Sequence, residues 1–354
     1  MTGPGGSITL VTPDGGTTVV TERSAPSFSI QPTPSPDGTR IAHTALGEDG
    51  APVMRVWTES TSVDVDFGFS PFFYAWSPDG AFLAALGNDG AGGVAGAIAH
   101  LTSGDVTGIG SGAPHFMAWS PDGSRLATHR NGTRIDLVGT DGTATNVPQF
   151  PAIFQAPDWL SQEEVLIAVA DSGLQASLID IPAGVSRLRA VTGDGGTRDL
   201  IEVEAMSQFD VDPGGLRLAV FDGAPGSGRM RILELESGVI NEVDAPRTVA
   251  FEWSPDGSRL LTFSLDDDGL LPEVWSANGA AEAAFESFTP TATFVNEYLA
   301  FWGQYVRTVR LWSPTGDAFV YPAATPSEEA VFLQRLDAEG PERIVTGSMA
   351  QWLP

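Results

Sequence analysis

The phrase Trp-Ser-Pro-Asp-Gly-Ser-Arg-Leu occurs twice in this chain, at residues 119–126 and 253–260. Looser copies surround these two, and the recurrence constrains the fold more than any other feature. Aligned on the Trp, the copies begin at Pro34, Trp76, Trp119, Trp159, Val211, Trp253 and Trp312, and an eighth begins at Trp352. Successive spacings are 42, 43, 40, 52, 42, 59 and 40 residues. Such a period, with two insertions, marks an array of supersecondary units in which each unit buries its apolar face on the next. An array also accounts for the length, since 354 residues exceed what one ordinary hydrophobic core serves.

Each period has the same grammar. An apolar residue stands two before the Trp position (Tyr74, Met117, Phe209, Phe251), on the same strand face because strand side chains alternate. Pro-Asp-Gly then makes a tight turn: Pro presets φ, Asp bonds the following backbone, and Gly accepts positive φ. A short apolar strand follows, and a second hairpin closes the unit, as at 134–147, 229–243 and 331–345. Four short strands per repeat predict a β-propeller blade. The expected fold is all-β, one propeller domain over 1–354, with repeat motifs near 34–42, 76–84, 119–127, 159–168, 211–220, 253–262 and 312–321. Residues 8–22 read as a second-half hairpin and 349–354 as a first-half strand, so the two are expected to share a closing blade. That makes eight blades; seven is the alternative.

The Trp-Ser-Pro-Asp-Gly phrase at 76–80, 119–123 and 253–257 resembles the PD40 (TolB-like, WD40-like) propeller repeat, and the resemblance covers essentially the whole chain. It implies a non-enzymatic propeller acting as a protein-binding or scaffold module. The alternative it implies is a substrate-gating propeller of a serine hydrolase whose catalytic domain is separate or absent from this chain. The sequence departs from the TolB type in lacking a separate N-terminal α/β domain and a signal peptide, and from the peptidases in lacking a hydrolase domain.

Net charge is −27, from 18 basic and 45 acidic residues. An acidic surface of this strength repels phosphate backbones and anionic headgroups, so neither nucleic acid nor a membrane surface is an expected partner. With no Cys, disulfides, thiolate-zinc sites and a Cys nucleophile are excluded. No apolar run reaches a membrane span, and the N-terminus lacks a basic segment followed by an apolar one. The expected location is therefore cytoplasmic, or extracytoplasmic if the N-terminus was trimmed, and a monomer is expected.

Motifs for chemistry are missing. No Gly-x-Ser-x-Gly elbow occurs, and His43, His100, His115 and His129 fall in different repeats without metal-ligand spacing. Acidic turns such as Asp266-Asp267-Asp268-Gly269 lack the alternation of a calcium loop, and no Gly-rich phosphate loop is present. No catalytic, cofactor-binding or metal-binding residue is assigned, and the chain is not expected to be an enzyme.

One segment breaks the repeat. The longest insertion, 288–314, gathers Tyr298, Phe301, Trp302, Tyr305, Arg307, Arg310 and Trp312. Aromatics with Arg are the side chains most enriched at binding hot spots. Asp158, Asp210 and Glu252 each precede the Trp position of three successive repeats, which puts them on one face of the first strands. The candidate partner-binding residues are Tyr305, Arg307, Arg310, Trp302, Asp158, Asp210 and Glu252, with a protein or peptide as the partner. Replacing Arg307 is expected to weaken capture without loss of stability.

Overall fold

The computed structural model describes residues 6–12, 15–21, 32–47, 50–149, 156–170, 186–204, 207–224, 226, 228–305 and 307–354. The chain is an all-β propeller with seven four-stranded blades. That is the count held above as the alternative. Each blade is an antiparallel meander in chain order, and the seventh is completed by the Trp312–Phe319 bridge beside a three-stranded sheet.

The blades fall into two compact units. One unit, 24–205, holds blade 1 (33–65), blade 2 (70–112), blade 3 (115–147) and blade 4 (158–203). The other, 1–23 with 206–353, holds blade 5 (207–243), blade 6 (248–284), blade 7 (312–346) and the hairpin Ile8–Val11 with Thr17–Thr21. Residues 349–353 of the expected closing blade therefore lie in the same unit as the hairpin, whose residues 13, 14 and 22 fall outside the described residues. The strand Ile8–Val11 pairs with Thr17–Thr21 in a two-stranded sheet. At the other end, Trp352 packs against Ala318, Val320, Val331 and Leu333 of blade 7.

The repeated phrase builds the first turn of a blade. In blade 3 the Ser120 hydroxyl donates to Asp122 at 2.6 Å, and Asp122 also accepts the Ser124 N–H. The Ser120 hydroxyl oxygen accepts the Arg125 N–H at 3.1 Å, while Gly123 sits at φ +70°, where a side chain is strained. Ser35–Asp37, Ser77–Asp79 and Ser254–Asp256 repeat this bonding. The degenerate turns are repaired locally. Where Thr315 replaces the turn Asp, Asp317 accepts from both Ser313 and Thr315. In blade 5, Asp212 replaces the Ser and accepts the N–H groups of Leu216 and Arg217.

The Trp has its own task, beyond the packing that alternation predicts. Its indole N–H donates to the first strand of the preceding blade: Trp76 to Thr33, Trp119 to Ala75, Trp159 to Ala118, Trp253 to Asp210 and Trp312 to Glu252, all at 2.9–3.1 Å. Each ring fills the gap between two sheets. Trp159, for example, lies with Ala127, Ile135 and Leu137 of blade 3 and with Val165 and Ile167 of its own blade. A buried indole needs such a carbonyl, because an unmet N–H there costs about 1–3 kcal/mol.

Candidate functional site

The longest insertion folds as one π-helical turn, Phe294–Tyr298, followed by the 3-10 turn Leu299–Phe301. Sequence reading anticipated little helix, and π-turns are uncommon and concentrate at functional sites. Apolar rings seat this segment on blade 6. Phe294 stacks on Tyr298 at 4.6 Å and meets Phe263 at 5.8 Å, and Trp302 lies 4.4 Å from Phe251. Phe294, Tyr298 and Trp302 are all buried. Two hydrogen bonds fasten the ends of the insertion: the Thr291 hydroxyl donates to the Ser348 carbonyl at 2.6 Å, and the Trp352 N–H donates to the Arg310 carbonyl at 2.7 Å.

Arg307 is anchored rather than presented. Its guanidinium lies 4.7 Å above the Phe209 ring, and Nη2 donates to the Phe209 carbonyl at 3.0 Å. The carbonyl it meets lies 98 positions away in sequence. Arg310 is exposed, and its positive charge acts on Glu252. Tyr305 keeps partial exposure 6.0 Å from Phe301, and burial of its hydroxyl pushes its pKa up to about 12.

Glu252 lies at the centre of the remaining candidates. Its carboxylate oxygens accept the Leu311 N–H at 3.0 and 3.3 Å, and its backbone carbonyl accepts the Trp312 indole. The residue keeps some accessible surface, but its carboxyl group is desolvated and its pKa is pushed up to about 8. The negative charge of Asp210 adds to the rise, while the Leu311 N–H and Arg310 oppose it. Tyr298, whose hydroxyl is bonded to Trp302, is driven well above the ordinary phenol range by burial and by the charges of Glu252 and Asp210. A carboxyl group held neutral at physiological pH can donate a hydrogen bond as well as accept one.

The structure thus brings Asp210, Glu252 and Arg310 within electrostatic reach of one another, with Trp302 and Arg307 packed on the residues next to the two acids. Asp158 belongs to the other unit, where its carboxylate accepts the Trp159 N–H at 2.8 Å. Sequence reasoning left Tyr298 out of the candidates, although it stands in the same aromatic run. Three of the histidines, His43, His115 and His129, are buried, and burial lowers the pKa of His43 and brings that of His115 to about 4, while His100 bonds Ser103 in a turn. Among the described residues, no group of three or more His, Cys, Asp or Glu is arranged to hold a metal ion. No helix among them is long and apolar enough to cross a membrane.

Comparison with known proteins bears on the fold alone. No protein-family model and no curated protein matches the chain. Solved structures do match. Dipeptidyl peptidase 4 from Porphyromonas gingivalis aligns at 14% identity and a TM-score of 0.59, over 90% of this chain and 55% of that one. The β-propeller domain of the Trilobed protease from Pyrococcus furiosus aligns at 11% identity and 0.53, over 88% of this chain and 95% of that one. TolB from Acinetobacter baumannii aligns at 15% and 0.45, over 70% of this chain and 63% of that one. The chain therefore spans less than two thirds of the TolB and dipeptidyl peptidase structures. The class these findings define is a β-propeller protein, a fold shared with propeller domains of peptidases.

Proposed function

We propose that this propeller is a non-enzymatic binding module that engages a protein or peptide partner through the surface around its longest insertion. The observation that carries the reading is Arg310. In a chain of net charge −27 it is an exposed cation whose backbone carbonyl is held by the Trp352 N–H. Partly exposed Tyr305 on the same insertion adds an aromatic surface, and Arg and Tyr dominate binding hot spots. Elsewhere the polar groups of the repeat are spent on turns and on joining blades, which leaves few candidates for chemistry.

The test is quantitative affinity capture with the wild type and with Arg310→Glu, each checked for an unchanged melting temperature. The reading requires that a specific partner be lost from the variant. It fails if the captured set is identical. It also fails if the purified protein turns over generic peptide or ester substrates and Glu252→Gln abolishes that turnover. The second reading, a gate for a serine hydrolase carried elsewhere, draws on likeness of fold to peptidase propellers. It takes precedence if the lost partner is such a hydrolase.

A further inference from the structure

Blade 5 gathers exposed apolar side chains at one end of its sheet. Leu216, Val239 and Ile240 are 58%, 52% and 44% exposed, in two adjacent turns at one edge of the blade. The turns are joined by the Leu235 N–H, which donates to the Leu216 carbonyl at 2.9 Å. Leu218, Leu233 and Ile240 form one cross-strand row, so Leu216, Leu235 and Ile240 extend the buried face of the sheet past its end into solvent.

The other blades act as internal controls. The bond between Leu235 and Leu216 recurs as Leu101 to Ala81, Ala277 to Ser258 and Leu336 to Asp317. In the second turn, the carbonyl that Val239 offers to Glu234 is offered by Asp105, Thr143, Gly196 and Ala280 in their blades. Small or polar residues therefore stand at the positions of Leu216 and Val239 in these blades without loss of the turn bonds, whereas Leu101 and Leu336 keep a Leu at the position of Leu235 and Val106 stands at that of Ile240. The turn chemistry also shows why a Leu side chain is not forced on position 216. Ser124 and Ser258 donate their hydroxyls to the turn Asp, whereas in blade 5 the Asp212 carboxylate accepts the N–H groups of Leu216 and Arg217, so the turn asks no hydrogen bond of the side chain at 216.

Carboxylates edge this patch. Glu236 and Glu242 are exposed beside Leu235 and Ile240, while Glu234 is tied to Arg217 at 2.8 Å. A second copy of a chain with net charge −27 would bring acid against acid, and an anionic membrane surface is repelled in the same way. We propose that the turn edge of blade 5 is a docking surface for a cationic amphipathic peptide segment. The segment's apolar side chains cover Leu216, Leu235, Val239 and Ile240, and its basic residues meet Glu236 and Glu242. This surface is separate from the insertion and does not depend on the reading given for it.

The probe is a leucine–lysine peptide with all its leucines on one helical face, compared with a scrambled peptide of the same composition. Binding is followed by methyl NMR on the full chain. Shifts are expected at Leu216, Leu235, Val239 and Ile240, with the scrambled peptide weaker. The variant Leu216→Ser, Val239→Thr, Ile240→Thr copies residues found in sister blades and so should fold. It should bind at least about tenfold more weakly with an unchanged melting temperature. Glu236→Gln with Glu242→Gln should flatten the salt dependence. Equal binding by the triple variant or the scrambled peptide would reduce the effect to bulk charge and overturn the proposal. So would self-association of the wild type, or its adsorption to phosphatidylcholine vesicles, that the triple variant loses.

Discussion

The indole N–H of Trp312 donates to the backbone carbonyl of Glu252 at 3.1 Å, and the side chain of the same Glu252 receives the N–H of Leu311. One residue of blade 6 is thereby gripped at both ends by the strand that opens blade 7. Burial of the carboxyl group raises its pKa, and the Leu311 N–H offsets only part of that rise.

Stability should therefore fall as the solution becomes alkaline. Glu252 favours its neutral form in the fold, so its contribution is complete below 4.5, its ordinary value, and is lost as pH rises through about 8. The steepest loss from one such group is about 1.4 kcal/mol per pH unit. Chemical denaturation of the wild type between pH 5 and 9 should show this decline, and Glu252→Gln should flatten it. Parallel curves for the two proteins would show that the carboxyl titrates normally.

At the acid end the turn aspartates act with the opposite sign. Hydrogen bonds from Ser35 and from the Thr39 backbone hold Asp37 down at about 2, and Ser77, Ser120 and Ser254 lower Asp79, Asp122 and Asp256. Their contribution is present above the ordinary value of 3.8 and lost as pH falls below it. Carboxyl NMR should find Asp37 titrating near 2, and Ser35→Ala should move it back toward 3.8. His43 and His115 add to acid lability, since burial lowers both from 6.5.

The indole bond can be separated from the indole ring. Trp76→Phe keeps most of the ring between blades 1 and 2 but leaves the Thr33 carbonyl unmet, and should cost about 1–2 kcal/mol. Trp76→Ala also opens a cavity among Ala42, Met54 and Val56, for about 3–5 kcal/mol in all. Equal losses in urea titrations would mean that the hydrogen bond carries no weight.

Two arginines of the insertion should behave differently. Arg307→Ala removes the guanidinium from the Phe209 ring and carbonyl and should destabilise the protein by roughly 1–3 kcal/mol. Arg310→Ala, at an exposed side chain, should stay within about 0.5 kcal/mol of the parent. Calorimetry on the two variants decides it, and a reversed order would remove the anchoring described for Arg307.

What could be read from the sequence was what is made locally. The Ser-Pro-Asp-Gly turn closes within five residues, from Ser120 to Arg125, so its residues announce it wherever it occurs. The partners of Trp119 and Trp312 lie 44 and 60 positions away, and periodicity gave the place of the Trp but not the carbonyl it meets. The candidate site was legible as composition: a run of aromatics with two arginines, and acids before the Trp position. Its sorting was not. Nothing in the string distinguishes Arg307, which finds a carbonyl 98 residues upstream, from exposed Arg310. The blade count stayed open because residues 8–21 and 349–354 meet no motif that fixes which strand each pairs with.

The two bonds that fasten the insertion, from Thr291 to Ser348 and from Trp352 to Arg310, impose an order in time. A ribosome delivers a chain from its N-terminus at about 5–20 residues per second, and earlier segments begin to fold first. Blades 5 and 6 can form their ladders while residues 348–352 are still in the exit tunnel, but the aromatic insertion lying on them cannot yet be fastened. Until residues 348–352 emerge, Phe294, Tyr298 and Trp302 lack the clasp that later holds the ends of their segment.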